Sequence, residues 1–219
     1  MTRVAVLGGH GKTGRAVCEA LSDAVALGRE DWADLPGAVA GCDAAYLIAP
    51  NLHPDEPAYV GEALAALRTA GIGRVVYHSV ASPYAPAMPH HVGKAVSEDL
   101  VRRSGLVWTI LQPGPYLQNL DLDGPTLRVP YDVDAPFGFL DLPDLGAAAA
   151  RVLLDDGHAG ATYELATRQA TVRQLAAEAG IEVERVADPG THPWLTAMFA
   201  YYDEHGLPVG TLPLRALLS

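Results

Sequence analysis

The stretch Arg3-Val4-Ala5-Val6-Leu7-Gly8-Gly9-His10-Gly11-Lys12-Thr13-Gly14 decides the fold. Arg3–Leu7 is apolar and partly β-branched, and reads as a buried strand ended by Gly8. A helix is expected from about Thr13 to Leu21, with Ala16, Val17, Ala20 and Leu21 facing inward. Between strand and helix, Gly8, Gly11 and Gly14 recur at GxxGxxG spacing. The first glycine allows a tight turn, the second lets the backbone approach a pyrophosphate, and the third lets the helix pack on the strand. The helix N-terminus then offers free N–H groups and a positive dipole end to phosphates. Strand, glycine turn and helix in this order are the context in which such spacing signifies dinucleotide binding. Gly11-Lys12-Thr13 also spells the end of a P-loop, but that motif needs a glycine five residues before Gly11, where Val6 stands.

The next element, Ala24–Leu27, is a short strand followed by Gly28-Arg29-Glu30-Asp31. A carboxylate at such a strand end holds the ribose hydroxyls of NAD. Here Gly28 occupies that place and Arg29 follows it. A guanidinium suits a 2′-phosphate through paired, charge-assisted hydrogen bonds. NADP(H) is therefore favoured over NAD(H), with Glu30 and Asp31 partly opposing the phosphate.

Further along, Ala44–Ala49, Arg74–Val80 and Val107–Leu111 read as strands. Ala58–Ala70 and Pro89–Ser104 read as helices, with Pro89 suited to the first helical position. Strands alternating with helices signify a mostly parallel sheet covered on both faces. The expected fold is α/β, a Rossmann-like doubly wound sheet. After Tyr116 the pattern loosens. Leu140–Leu154 contains an Ala-rich helix, Ala161–Leu165 a strand, and Thr171–Ala179 a helix capped by Thr171. Ile181–Val186 is strand-like, and Trp194–His205 carries aromatics at helical spacing. Residues 1–116 are read as the nucleotide-binding core. Residues 117–219 are read as a small substrate lobe that partly returns to the main sheet.

The 219 residues suffice for one well-buried α/β unit. A net charge of −11 disfavours non-specific contact with DNA or RNA. No apolar run reaches the length of a membrane span, and no secretory leader is read at the N-terminus. The two cysteines, Cys18 and Cys42, lie in neither a disulfide framework nor a zinc spacing, which suits a reducing cytoplasm. No metal site is expected: His90 and His91 are adjacent on a helix and lack further ligands.

Several segments together resemble one family. VAVLGGHGKTG, VALGRED, AGCDAAYLIAP, GIGRVVYHSVAS, HHVGKAVSEDLVRRSGLVWTILQPGPYLQN and FLDLPDLGAAAARVLLD are similar, in that order, to the NmrA-like branch of atypical short-chain dehydrogenases/reductases. The resemblance covers about residues 3–165. It implies a Rossmann fold, an NADP(H) site and a C-terminal substrate lobe. It also implies that Gly8, His10, Gly11, Lys12, Thr13 and Gly14 form the phosphate turn and that Arg29 meets the 2′-phosphate. Ala49, Pro50, Asn51, Ser79, Pro113, Gly114 and Tyr116 would lie near the nicotinamide, and Lys94 would be the helix lysine on the ribose. The chain departs from that pattern in three ways. Only about a dozen residues separate Arg29 from Cys42, where the family usually fits a helix and a further edge strand, so the adenine would be more exposed. The segment after residue 116 is short. The reductase dyad Tyr-x-x-x-Lys is replaced by His90-x-x-x-Lys94.

His90 and Lys94 share a helix face. The lysine and the helix N-terminus both favour neutral imidazole, which makes His90 a poorer acid than tyrosine for ketone reduction. Lys94 could itself act as acid or base. Tyr77 and His78 read as packed or hydrogen-bonded core groups. Tyr84, Met88, Tyr116, Trp194, Phe199, Tyr201 and Tyr202 are candidates for an aromatic substrate pocket, with core packing as the competing role. The expected function is NADPH-dependent oxidoreduction of a small quinone or conjugated carbonyl. The alternatives are a non-catalytic NADP(H) sensor acting through a protein partner, and a lyase or isomerase that retains its NADP. Oligomeric state and substrate identity stay open.

Overall fold

The computed structural model describes residues 2–219. Among these residues, ten strands and eight helices follow one another in chain order. The first half contains β1 (Val4–Leu7), α1 (Lys12–Glu19), β2 (Ala24–Leu27), α2 (Leu35–Ala38), β3 (Ala44–Leu47), α3 (Glu56–Thr69), β4 (Arg74–His78), α4 (Pro89–Arg102) and β5 (Val107–Pro113). The second half contains β6 (Thr126–Val129), β7 (Phe137–Phe139), α5 (Leu142–Leu154), β8 (Thr162–Leu165), β9 (Arg168–Ala170), α6 (Val172–Ala179), β10 (Glu182–Arg185), α7 (Pro193–His205) and α8 (Leu212–Leu218).

Six strands form one parallel sheet in the order β2-β1-β3-β4-β5-β8. The chain runs outward from β1 to β2, then returns to lay β3 on the other side of β1. That reversal opens a crevice at the carboxyl ends of β1 and β3, the place where open α/β sheets bind ligands. The interior strands are buried on both faces, as β1 and β3 are along their whole length. One apolar layer, with Val17, Leu145, Val152 and Leu214, covers one face; another, with Leu35, Val60, Leu64 and Leu67, covers the other.

Local chemistry accounts for the ends of these elements. The Asp55 side chain accepts the Ala58 N–H at 3.1 Å and starts α3, with proline in its first turn. Thr171 and Gln174 form a reciprocal capping box at the start of α6, so the expected Thr171 cap is present.

The edge of the sheet is β2, with no strand beyond it among the described residues. Between Arg29 and Cys42 the chain makes only a 3₁₀ turn (Glu30–Asp34) and the four-residue α2. The C-terminal residues contribute β8 to the main sheet and lay α5 against α1. They also build two small sheets that sequence periodicity missed in part: β10 pairs with β6 in parallel, and β7 with β9 antiparallel. A third apolar cluster, with Tyr131, Phe137, Phe139 and Tyr202, lies between these pieces and α7. No helix among the described residues is long and apolar enough to cross a membrane.

Candidate functional site

One continuous cavity of about 1510 Å³ runs along the carboxyl ends of the strands. That exceeds the ~300–1000 Å³ of a typical small-ligand pocket. Every residue expected at the cofactor or the reacting centre lines it, from Gly8 and His10 through Lys94 and His90 to Tyr116.

The glycine turn forms its floor. Gly11 caps α1 in an extended conformation and offers no side-chain acceptor, which leaves the first-turn N–H groups to solvent or a ligand. Arg15 fastens the turn by donating to the His10 carbonyl at 3.1 Å. Lys12 crosses the cavity and donates to Asn119 Oδ1 at 2.6 Å, with its ammonium 5.8 Å from the centre of the Tyr116 ring. A Cβ on Gly11 would meet only the Gly8 oxygen, at 3.4 Å, so packing within the chain does not demand a glycine there. A phosphate brought against the backbone does, and the turn fits one.

At the β2 end, Arg29 is exposed on the rim. Its acidic neighbours have local partners: Glu30 lies 3.6 Å from His10 Nε2, and the Gly28 N–H donates to Asp31 at 2.8 Å. Beyond Arg29, where the edge strand usual in the resembled family is missing as expected, Trp32 stacks on Tyr59 with ring centres 4.1 Å apart. Both rings line the cavity, and the pattern of the sequence had not singled out either one.

The middle of the site is buried and hydrogen-bonded. Lys94, on α4, lies 2.7 Å from Glu56 Oε1 and donates to the His78 carbonyl at 3.2 Å. Ser79 donates to Glu98 Oε1 at 2.5 Å, and Gln112 donates to the same oxygen at 2.7 Å. Glu98 is itself fully buried and paired with Arg102 at 3.0 Å. The ring of His78 bridges two hydroxyls, Tyr46 Oη at 2.8 Å and Tyr116 Oη at 2.9 Å. His78 thus serves the site as well as the core, a role its strand position did not disclose. Burial, and then the charge of Lys94, lower its pKa to about 3.

His90 is buried against Trp194, with ring centres 6.3 Å apart. Burial first, then Lys94, His91 and His192, lower its pKa to about 3. The expected neutral imidazole is therefore present, with burial as the leading cause rather than the lysine. Of the proposed aromatic wall, Tyr116, Phe199 and Tyr202 line the cavity, joined by Tyr131, Phe139 and Met198. Met88 instead sits in the core, and Tyr84 is 66 % exposed with its hydroxyl turned to Glu98. Trp194 packs behind His90, and Tyr201 against His205.

A six-stranded parallel sheet with a glycine-lined turn at its switch point is a Rossmann-type fold, and NmrA-like and quinone-reductase structures share it. The chain is 31 % identical over 165 residues to an NAD(P)H azoreductase of Xenophilus azovorans, a match covering 70 % of this chain and 57 % of that protein. It is 30 % identical over 158 residues to quinone oxidoreductase 2 of Escherichia coli, covering 68 % and 54 %. The chain thus matches little more than half the length of these relatives. Among solved structures, the NADPH-complexed quinone oxidoreductase of Escherichia coli superimposes with a TM-score of 0.77 at 23 % identity, over 99 % of this chain and all of that one. Nmra, a negative transcriptional regulator in complex with NAD, superimposes with a TM-score of 0.74 at 19 % identity, over 94 % of this chain and 82 % of that one. No family model matches the chain.

Proposed function

We propose that the chain is an NADPH-dependent oxidoreductase that reduces small, flat aromatic substrates such as quinones. One observation carries this reading: the cavity is continuous from the phosphate turn, past Lys94, into a chamber walled by Tyr131, Phe139, Phe199 and Tyr202. In this reading Gly8 and His10–Gly14 hold the pyrophosphate, and Arg29 holds the 2′-phosphate. Ala49–Asn51, Ser79, Pro113, Gly114 and Tyr116 flank the nicotinamide, and Lys94 donates to its ribose. Residues 117–219 supply the substrate lobe. The bound nicotinamide supplies hydride, and the protein supplies orientation and exclusion of water.

The Ser79 hydroxyl donates its hydrogen bond to Glu98, which leaves only its oxygen lone pairs to the cavity. Neutral His90 is a poor acid. A quinone needs little acid catalysis, so these groups suit it better than they suit an unactivated ketone. The quinone and azo-compound activities that name the curated relatives support the same substrate class. Free Cys18 and Cys42 and a need for reduced nucleotide favour the cytoplasm as the working compartment.

The test is calorimetric titration with NADPH and NADH, followed by a quinone panel read at the nicotinamide absorbance. Tighter NADPH binding with quinone-dependent oxidation is expected. Tight binding with no oxidation across the panel would turn the reading toward a sensor, for which the likeness to Nmra is the relevant observation.

A further inference from the structure

Glu56 lies outside every motif that pointed to this site. It stands in the first turn of α3, is 2 % exposed, and reaches across to α4. Its Oε1 takes two short contacts, from Lys94 Nζ at 2.7 Å and from the Tyr77 hydroxyl at 2.7 Å. Its Oε2 is buried and unpartnered among the described residues. Folding gains little from such a group. Desolvating a carboxylate and an ammonium costs more than an apolar pair of the same volume, and an unsatisfied buried oxygen adds to that cost. The arrangement has a geometric effect instead. An ammonium has three N–H bonds. The His78 carbonyl accepts one of them, Glu56 pairs with the ammonium at 2.7 Å, and Lys94 lines the cavity.

We propose that Glu56 is the positioning residue of the site: by pairing with Lys94 it fixes the ammonium as a hydrogen-bond donor with an N–H left to serve the cofactor ribose. This rests on the NADPH reading above. Lys94 then works as a donor held in place, because the carboxylate and the His78 carbonyl restrain its ammonium. Tyr77 fixes the other partner, since its hydroxyl holds Oε1 in place while Lys94 bonds to it.

The experiment is a double-mutant cycle on Glu56→Gln and Lys94→Ala, read by NADPH affinity in calorimetry and by kcat and quinone KM at steady state. Gln keeps the shape and the acceptor oxygen and removes the charge. Each single variant is expected to weaken NADPH binding and lower kcat by about tenfold, with quinone KM unchanged. The double variant is expected to be no worse than Lys94→Ala alone, because Glu56 acts only through the lysine. Losses that multiply, or wild-type behaviour of Glu56→Gln, would overturn the proposal. Should Glu56→Gln not fold, the same cycle with Glu56→Asp, which keeps the charge and shortens the reach, decides by the same criterion. Failure of the wild-type chain to bind NADPH would overturn the functional reading itself, whereas multiplied losses on top of intact wild-type binding remove only the role of Glu56.

Discussion

A Cβ placed on Gly14 would collide with the carbonyl oxygen of Gly8, whereas one on Gly11 would find open space beyond an ordinary contact. The fold therefore requires Gly14 and not Gly11, and under the proposed function the ligand requires Gly11. Gly14→Ala should destabilise the chain by ~1–3 kcal/mol, as overpacking of a close backbone contact does. Gly11→Leu should leave the thermal midpoint nearly unchanged and abolish measurable NADPH binding. A Gly11→Leu variant that binds NADPH as the wild type does would remove the pyrophosphate from this turn. The spacing of these glycines was legible because it is local. Glu56 was not, since Asp55-Glu56-Pro57 reads as an ordinary helix start, and its partner Lys94 comes within reach only when α3 packs on α4. His78 was read as a packed or hydrogen-bonded core group, and it is buried and hydrogen-bonded; its partners Tyr46 and Tyr116 are distant in sequence, and only the fold brings them to its two nitrogens.

At the scale of elements, the strands of the main sheet were legible as short apolar runs bounded by glycine or proline. Their ends shifted by only a few residues, as for Val107–Leu111, which continues to Pro113. The strands β6, β7 and β9 were not legible. Each is three or four residues long, and β7 carries a mid-strand Gly138, which weakens its strand signal. Their pairing depends on partners distant in sequence. The shortened link between β2 and β3 was read correctly as the loss of an edge strand, but its consequence was read only as exposure of the adenine. The stacked Trp32–Tyr59 pair occupies that place and supplies a flat apolar face. Base–aromatic stacking is worth ~1–3 kcal/mol. Trp32→Leu should therefore weaken NADPH about tenfold, yet leave turnover with reduced nicotinamide mononucleotide, which lacks the adenine half, unchanged. Equal losses with both cofactors would place the effect of Trp32 on the fold rather than on adenine.

Across the whole molecule, the buried histidines withdraw stability as pH falls. Burial depresses the pKa of His78 and His90 to about 3 and that of His91 to about 4, against ~6.5 for an exposed imidazole. Between pH 6.5 and those values, the unfolded chain binds protons that the native chain refuses. Stability therefore rises with pH in this window, is fully present above about 6.5, and is lost progressively as pH falls through it. Each such histidine contributes a slope of at most ~1.4 kcal/mol per pH unit. Urea unfolding at pH 7, 6 and 5 should show the midpoint dropping most steeply between pH 6 and 5, above the range where surface carboxylates titrate. His78→Gln keeps a polar group between Tyr46 and Tyr116 without the titration, so it should flatten that slope by one histidine's share while costing some stability at pH 7. A slope unchanged by His78→Gln would mean that the imidazole takes up its proton in the folded chain as readily as in the unfolded one. The bridge would then reorganise on protonation so that both hydroxyl oxygens accept from the two ring N–H groups, and burial would no longer explain the neutral ring at the edge of the cavity.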